Sequence, residues 1–104
     1  MDITNIETIP GKTIITHYGL VCGSTVRSKN AFKDFGASLK NIFGGELKSY
    51  TKLLDETRQE AVDRMTEQAR SLGANAIVNV RFATSDVAAG AAEIYVYGTA
   101  VTVK

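Results

Sequence analysis

The clearest pattern along the chain is an apolar stripe of helical period that stops at Gly73 and is followed at once by a strand. The stripe recurs at steps of three, four or seven residues and comprises Leu47, Tyr50, Leu54, Ala61, Met65, Ala69 and Leu72. This spacing predicts a long amphipathic helix that begins near Glu46. Gly73 stands where a helix cap requires positive φ, and Asn75 adds a second turn-forming residue. The helix is therefore expected to fold back over a sheet that contains residues 76–82.

Three further segments have the composition of strands. Residues 12–26 are rich in β-branched side chains, residues 93–103 alternate, and residues 3–9 precede the Pro10-Gly11 turn. Gly19 and Gly23 interrupt the segment 12–26. Because they are four residues apart, they are expected to share one sheet face, which indicates close packing there. In residues 93–103, alternation predicts one face with Ile94, Val96, Gly98 and Ala100, and the other with Tyr95, Tyr97, Val101 and Val103.

Two more segments complete the predicted order of elements. Apolar residues at helical spacing predict a short helix at about residues 31–43, which Gly44-Gly45 separates from the long helix. Residues 83–92 are small or polar and are expected to form a mobile hairpin loop. The expected fold is α+β, with the order β-β-α-α-β-β and one long helix packed on one face of an antiparallel or mixed sheet.

A single long helix leaves the other face of the sheet uncovered. Alternation assigns Ile77 to that face, together with Tyr95, Tyr97, Val101 and Val103. A contiguous exposed apolar surface normally marks an interaction site. We therefore expect the chain to form a homo-oligomer.

Composition narrows the class of protein. A length of 104 residues accommodates one domain, residues 1–104. The 12 Lys and Arg against 11 Asp and Glu give a net charge of +1, which argues against nucleic-acid binding and gives no reason for a membrane partner. One cysteine, Cys22, cannot form an intrachain disulfide and favours a reducing compartment. With no signal-like start and no long apolar run, the chain is expected in the cytoplasm.

His17 and Cys22 are the soft metal ligands of this chain, one residue of each type. A closed zinc site takes four such ligands, and an odd spacing on a regular strand directs two side chains to opposite faces. A packed cysteine and a surface histidine are therefore favoured over a metal site or a Cys–His nucleophile. Oligomer symmetry offers the alternative, because copies of His17 or Cys22 from several subunits would converge in a ring.

Asn79, Arg81 and Glu93 interrupt strands that are otherwise apolar, and alternation places Asn79 and Arg81 on the same face as Ile77. One interpretation is a polar lining for a ligand site between subunits. The favoured interpretation is an ion pair between Arg81 and Glu93 at the interface. The helix start at 44–46 is interpreted as a tight turn in preference to an anion site. The charged helix residues are interpreted as a solvated face: Arg58, Glu60, Asp63, Arg64 and Glu67.

Taken together, five segments of the chain resemble the YbjQ-like family of bacterial proteins, which are described as heavy-metal-binding but have no established function. The segments are 19–26 (GLVCGSTV), 44–46 (GGE) with Tyr50, 58–65 (RQEAVDRM), 73–82 (GANAIVNVRF) and 97–101 (YGTAV). The resemblance implies a dodecin-like subunit in a ring-shaped homo-oligomer, a pentamer, and a metal ion as the one cofactor to test. It implies no catalytic residues.

The sequence thus predicts a non-enzymatic, homo-oligomeric binding or scaffold domain that holds a metal ion or small ligand between subunits. The alternative is an enzyme for a small ligand, with an inter-subunit site around Asn79, Arg81 and Glu93.

Overall fold

The computed structural model describes residues 1–28, 48–88 and 90–104, in which one helix packs on one sheet. The elements are β1 (Asp2–Ile3), β2 (Ile14–Ser28), α1 (Lys48–Ser71), β3 (Ala76–Ala88) and β4 (Ala91–Val103). The sheet order is β1-β3-β4-β2. β1 runs parallel to β3, while β4 pairs antiparallel with both β3 and β2. The expected α+β class, with a helix on one face of a mixed sheet, is confirmed.

The order of elements differs from the expected β-β-α-α-β-β, because the described residues give β-β-α-β-β. The short helix expected at 31–43, the turn at 44–46 and the stripe residue Leu47 lie outside the described residues. The hairpin loop expected at 83–92 is wrong, since β3 continues to Ala88 and β4 begins at Ala91. Pairing with β4 overrides the weak strand propensity of these small residues, as in the pair of Ala83 with Tyr95. The first strand is also shorter than expected.

The helix ends in the cap that the sequence predicts. Gly73 has φ of 92°. Its N–H donates to the carbonyl of Arg70 at 3.0 Å, and the N–H of Ala74 donates to the carbonyl of Ala69 at 3.1 Å. These two bonds define a Schellman motif with Gly73 in the left-handed position. The junction from helix to sheet is confirmed.

Asn75 then attaches the start of β3 to the end of β4. Its side-chain Nδ2 donates to the carbonyl of Val103 at 2.9 Å, and the N–H of Val103 donates to Asn75 Oδ1 at 2.7 Å. The amide side chain thereby takes the place of a backbone partner at the sheet end, where a strand would otherwise leave both groups of Val103 unpaired.

The main core lies between α1 and the sheet. Its buried members are Val21, Ala61, Met65, Ala69, Ala74, Ile77, Val80, Val96 and Ala100. Gly23 lies directly beneath the helix, and a Cβ there would collide with the carbonyl oxygen of Ala61 and the backbone nitrogen of Met65. The close packing expected at Gly23 is therefore confirmed. Gly19 shares this face, but it has φ of 95° and free space around its missing Cβ, so its role is conformational.

A second, smaller core lies on the opposite face of the sheet. It consists of Ala76, Val78, Val101 and Val103, packed against Ile9 of the N-terminal segment. This segment is held by backbone bonds to β3, among them Thr4 N–H to the Ile77 carbonyl at 3.0 Å. Lys12 Nζ also donates to Asp2 Oδ2 at 2.9 Å, and this bond and the lysine charge lower the pKa of the Asp2 carboxyl.

The N-terminal segment therefore covers part of the face that the sequence left open. Val101 and Val103 are buried there. Ile77 was assigned to this face, which is wrong, because it is fully buried in the core beneath the helix. In addition, no helix among the described residues has the length and hydrophobicity to cross a membrane.

We predict that Gly23→Ala destabilises the fold more than Gly19→Ala. The added methyl at position 23 meets helix backbone, which cannot rotate away, so the loss should be about 3 kcal/mol, the upper end for overpacking. At position 19 the loss should be about 1–2 kcal/mol, the cost of an L-residue in the left-handed region. Urea unfolding at matched protein concentration measures both. Equal stability of Gly23→Ala and the unsubstituted chain would contradict the close approach.

Candidate functional site

An exposed apolar surface remains on the sheet face opposite α1, beyond the region that the N-terminal segment covers. We call this surface the open patch; it consists of Leu20, Cys22, Val26, Tyr95 and Tyr97. Leu20 is 71% exposed and Val26 54% exposed. Tyr95 and Tyr97 are half-buried, and their ring centroids are 5.9 Å apart. A cluster of aliphatic and aromatic side chains of this kind is typical of a surface that receives a partner.

Strand pairing places these residues on one face. Cys22 lies opposite Tyr97, and Leu20 lies opposite Thr99, two residues further along β4. Their neighbours Val21 and Gly23 point to the helix instead. Sequence reasoning did not single out Leu20 and Val26. Alternation along the strand could have identified them, because Leu20, Cys22 and Val26 have even numbers, whereas Val21 and Gly23 on the opposite face have odd numbers.

The expectation that His17 and Cys22 point to opposite faces is wrong. The register of β2 on β4 shifts between His17 and Gly19, so β2 gains one residue there. His17 consequently lies opposite Val101 and Cys22 opposite Tyr97, which are four residues apart and share a face. Tyr18 turns to the helix side, where its hydroxyl lies 2.8 Å from Thr102 Oγ1.

The shared face does not bring the two ligands together. Four residues of a strand separate their partners, which corresponds to about 13 Å. Both side chains are exposed, so the expected surface histidine is confirmed and the expected packed cysteine is wrong. Among residues 1–28, 48–88 and 90–104, no three His, Cys, Asp or Glu side chains converge in a way that could hold a metal ion.

The polar residues Arg81 and Glu93 also share this face but have separate partners. Arg81 Nη1 donates to the carbonyls of Asn5 at 2.6 Å and Val80 at 3.0 Å. The hydroxyl of Ser85 donates to Glu93 Oε1 at 3.2 Å. Their register positions on β4 are again four residues apart, about 13 Å. One chain therefore does not form the expected pair of Arg81 with Glu93.

Asn79 occupies a β-bulge. It has φ of 55°, and the register of β3 on β4 shifts between Val78 and Arg81. Its N–H donates to the carbonyl of Ile6 at 2.9 Å. The extra residue reverses alternation, which places Ile77 under the helix and Arg81 on the opposite face; the expectation that they share a face is wrong. Asn79 thus has a backbone role, because asparagine tolerates the left-handed region.

Of the charged residues of α1, Arg58, Asp63 and Glu67 form the solvated face that their spacing predicts, whereas Glu60 and Arg64 also contact β2. Arg70 pairs with Glu67 at 3.1 Å, and Gln59 Nε2 donates to Asp63 Oδ1 at 2.9 Å. Glu60 also reaches β2, where its Oε2 lies 2.7 Å from Arg27 Nη2. Two further side chains contact the edge of β2. Gln68 accepts from the N–H of Cys22, and Arg64 donates to the carbonyl of Ser24. Helix residues therefore cover part of the free β2 backbone.

Over the described residues, the fold and surface define a small α+β domain with one helix on a mixed four-stranded sheet and an apolar patch on the opposite face. The chain belongs to the YbjQ family: the YbjQ_1 family model, described as "Putative heavy-metal-binding", matches residues 1–104. The resemblance seen in the sequence is confirmed.

Relatives agree with this assignment. A UPF0145 protein of Hahella chejuensis is 66% identical over 104 residues, which cover 100% of both chains. A UPF0145 protein of Halorubrum lacusprofundi is 48% identical over 104 residues and also covers 100% of both. The family therefore includes archaeal members and is not confined to bacteria as the resemblance implied.

A solved structure supports the fold. It is a protein of unknown function from Pediococcus pentosaceus, assigned to the DUF74 family, with a TM-score of 0.60 and 17% identity. The match covers 100% of this chain and 98% of that chain. At this identity the similarity concerns the fold alone.

The metal named in the family description does not fit within one described subunit. A soft ion requires several thiolate or imidazole donors at about 2.0–2.3 Å from the metal. Cys22 and His17 are about 13 Å apart along the sheet. Within the described residues, a soft-metal site would need donors from a second subunit.

We predict that Asn79→Gly leaves stability within about 0.5 kcal/mol of the unsubstituted chain, because glycine adopts positive φ freely. Asn79→Ala should lower the free energy of unfolding by about 1 kcal/mol. Thermal unfolding of the two variants makes the comparison. A loss as large for Asn79→Gly as for Asn79→Ala would show that the side-chain amide, and not the backbone conformation, is what position 79 requires.

Proposed function

We propose that this chain is a non-catalytic binding or scaffold subunit that assembles with copies of itself through the open patch. The observation that carries the proposal is the exposure of Leu20 and Val26 beside two half-buried tyrosines, on the part of this face that no described residue covers. Burial of apolar surface contributes about 25 cal/mol per Å², so covering these side chains favours association.

A second copy is the occupant that the chemistry of the patch favours. The five patch residues are uncharged, Glu93 and Arg81 beside them carry opposite charges, and the chain has a net charge of only +1, so association of like subunits meets little electrostatic repulsion. The same face is already covered by apolar contact where Ile9 packs on the second core. A copy that covers the patch extends this second layer along the sheet.

We further propose that a soft metal ion is held only where subunits meet. The family description supports the metal, and the separation of His17 from Cys22 argues that one chain is insufficient. Cys22 lies in the centre of the open patch, between the neighbours Leu20 and Ser24 on its face. Assembly through the patch would bring the thiols of different copies toward one another.

The architecture of the assembly follows from the resemblance. A dodecin-like subunit in a ring, with five copies, is the arrangement that we propose, and the cytoplasm is the proposed compartment. The single cysteine supports a reducing environment. No nucleic-acid or membrane partner is proposed, because charge is balanced along the chain.

An enzyme with an inter-subunit site around Asn79, Arg81 and Glu93 is the alternative. It requires a second subunit to bring a carboxylate to Arg81, since Glu93 of the same chain lies about 13 Å away along the strand. It also requires a catalytic or binding role for Asn79, whose observed role is to adopt the positive φ of the β-bulge. A scaffold function needs neither a second carboxylate at Arg81 nor such a role for Asn79, and it is the function that we favour.

We predict that Leu20→Glu produces a monomer, because it places a charge within the surface that assembly would bury. The matched control is Leu72→Glu, since Leu72 is also exposed but lies at the end of the helix, away from the patch. Size-exclusion chromatography with light scattering measures the mass. A monomeric unsubstituted chain at micromolar concentration, or an intact oligomer of Leu20→Glu, would refute the role of the patch.

We predict that zinc or copper raises the melting temperature of the assembled chain and not that of the Leu20→Glu monomer, which keeps Cys22. At a metal concentration 100 times Kd, one site adds about 2.7 kcal/mol. Cys22→Ser should abolish the shift while preserving the oligomer. Thermal unfolding and mass spectrometry of protein purified without a metal-affinity tag provide the readouts. Equal stabilisation of the monomer would refute an inter-subunit site.

A further inference from the structure

A groove opens at the sheet edge where the N-terminal segment separates from β3. Its volume is about 360 Å³, within the range of small-molecule sites, and it is lined by Ile3, Thr4, Asn5, Val80, Arg81 and Phe82. Ile3 is 40% exposed and Phe82 50% exposed. Two large apolar side chains therefore remain in contact with water at the walls of a concave surface.

A guanidinium group is fixed beside these walls. Nη1 of Arg81 donates to the carbonyls of Asn5 and Val80, which come from the two segments that border the groove. Among the residues that the structure describes, Nε and Nη2 have no hydrogen-bond partner and no carboxylate pairs with Arg81. The two backbone bonds hold the guanidinium in place while its remaining donors stay available.

The backbone adds a further donor. The N–H of Val80 points away from β4, since it donates to the carbonyl of Thr4 at 3.0 Å. Backbone groups alternate along a strand, so the N–H of Phe82, two residues later, points to the same edge. The N-terminal segment pairs with β3 only as far as Val80 and Asn79, and the edge is free from Phe82 onward in the described residues.

We propose that this groove binds a small carboxylate with an apolar body, such as an aryl- or alkyl-substituted acid. The planar guanidinium of Arg81 presents parallel donors that match the two oxygens of a carboxylate. The N–H of Phe82 supplies an additional donor at the edge, and the walls of Ile3 and Phe82 receive the apolar body. A cation is disfavoured by Arg81, and a fully hydrophilic anion would leave the apolar walls unused.

This site is independent of the proposed assembly. It lies at the β1–β3 edge, whereas the open patch lies on β2 and β4. The failure of one proposal therefore leaves the other standing, and the two are read by different measurements: the mass of the particle for assembly, and ligand titration for the groove.

The test is a titration of the full chain with 3-phenylpropionate and with its uncharged amide, 3-phenylpropanamide, followed by NMR of the backbone amides. We expect saturable shifts at Ile3, Thr4 and Phe82, with the acid bound at least tenfold more tightly than the amide. Arg81→Gln should weaken the acid about tenfold and leave the amide unchanged. Arg81→Lys keeps the positive charge but loses the paired donors of the guanidinium. Its affinity for the acid should therefore fall between that of the unsubstituted chain and that of Arg81→Gln.

Two controls separate binding from folding. Arg58→Gln removes an arginine that pairs with Asp55 on the surface of α1, and it should leave the affinity for the acid unchanged. Phe82→Ala should weaken the acid and the amide equally. Thermal unfolding shows whether each variant is folded. If Arg81→Gln does not fold, the comparison rests on Arg81→Lys. Equal affinity for acid and amide, unchanged acid affinity in the Arg81 variants, or no saturable shift up to the solubility of the acid would overturn the proposal.

Discussion

The direct approach of helix backbone to sheet backbone at Gly23 is the contact on which the rest of this fold depends. The carbonyl of Ala61 and the nitrogen of Met65 occupy the space that a side chain at position 23 would fill. Two of the helix positions that face the sheet are small, Ala61 and Ala69, and both are fully buried. Such residues permit a short distance between helix and sheet, and this distance brings Val21 and Val96 into contact with the helix. The helix therefore lies over β2 and β4 and leaves the edge of β3 beyond Val80 open.

Two of the four register shifts in the sheet determine which face the candidate site residues occupy. The shift near Gly19 returns His17 to the face of Cys22, and the bulge at Asn79 separates Ile77 from Arg81. Simple alternation fails at both places, because one extra residue exchanges the faces of every residue beyond it. Positive φ at Gly19 and Asn79 is the physical mark of both features. The sequence shows a glycine and an asparagine there, but these residue types alone do not tell a bulge from a simple interruption.

Prediction from sequence succeeded where local chemistry decides the structure. The cap at Gly73 depends on one residue and the helical stripe before it, and the alternation of 94–103 depends on neighbours within a single strand. Prediction from sequence failed for residues 83–88, which are weak strand formers. They are held in the strand by pairing with β4, for example with Ile94 and Tyr95. The coverage of Val101 and Val103 by Ile9 could not be predicted either, because that contact joins residues more than 90 positions apart. Of the candidate site residues, the sequence identified Cys22 and Arg81 but neither the face of the first nor the groove beside the second.

The two edges of the sheet differ in how far other residues cover their free backbone groups. One edge is β2, and the other is β3 beyond its contact with the N-terminal segment. Gln68 and Arg64 of the helix occupy backbone groups of β2 at Cys22 and Ser24, which protects that edge from pairing with another strand. The edge of β3 has no such protection in the described residues after Val80, where Arg81 is fixed by backbone carbonyls. Arg81 lies directly opposite Tyr97, a member of the open patch, across the β3–β4 pair. A subunit that covers Tyr97 would thus reach the strand that borders the groove. Binding of a carboxylate does not require that contact, however, because the groove is lined by Ile3, Arg81 and Phe82, whereas the open patch consists of side chains of β2 and β4.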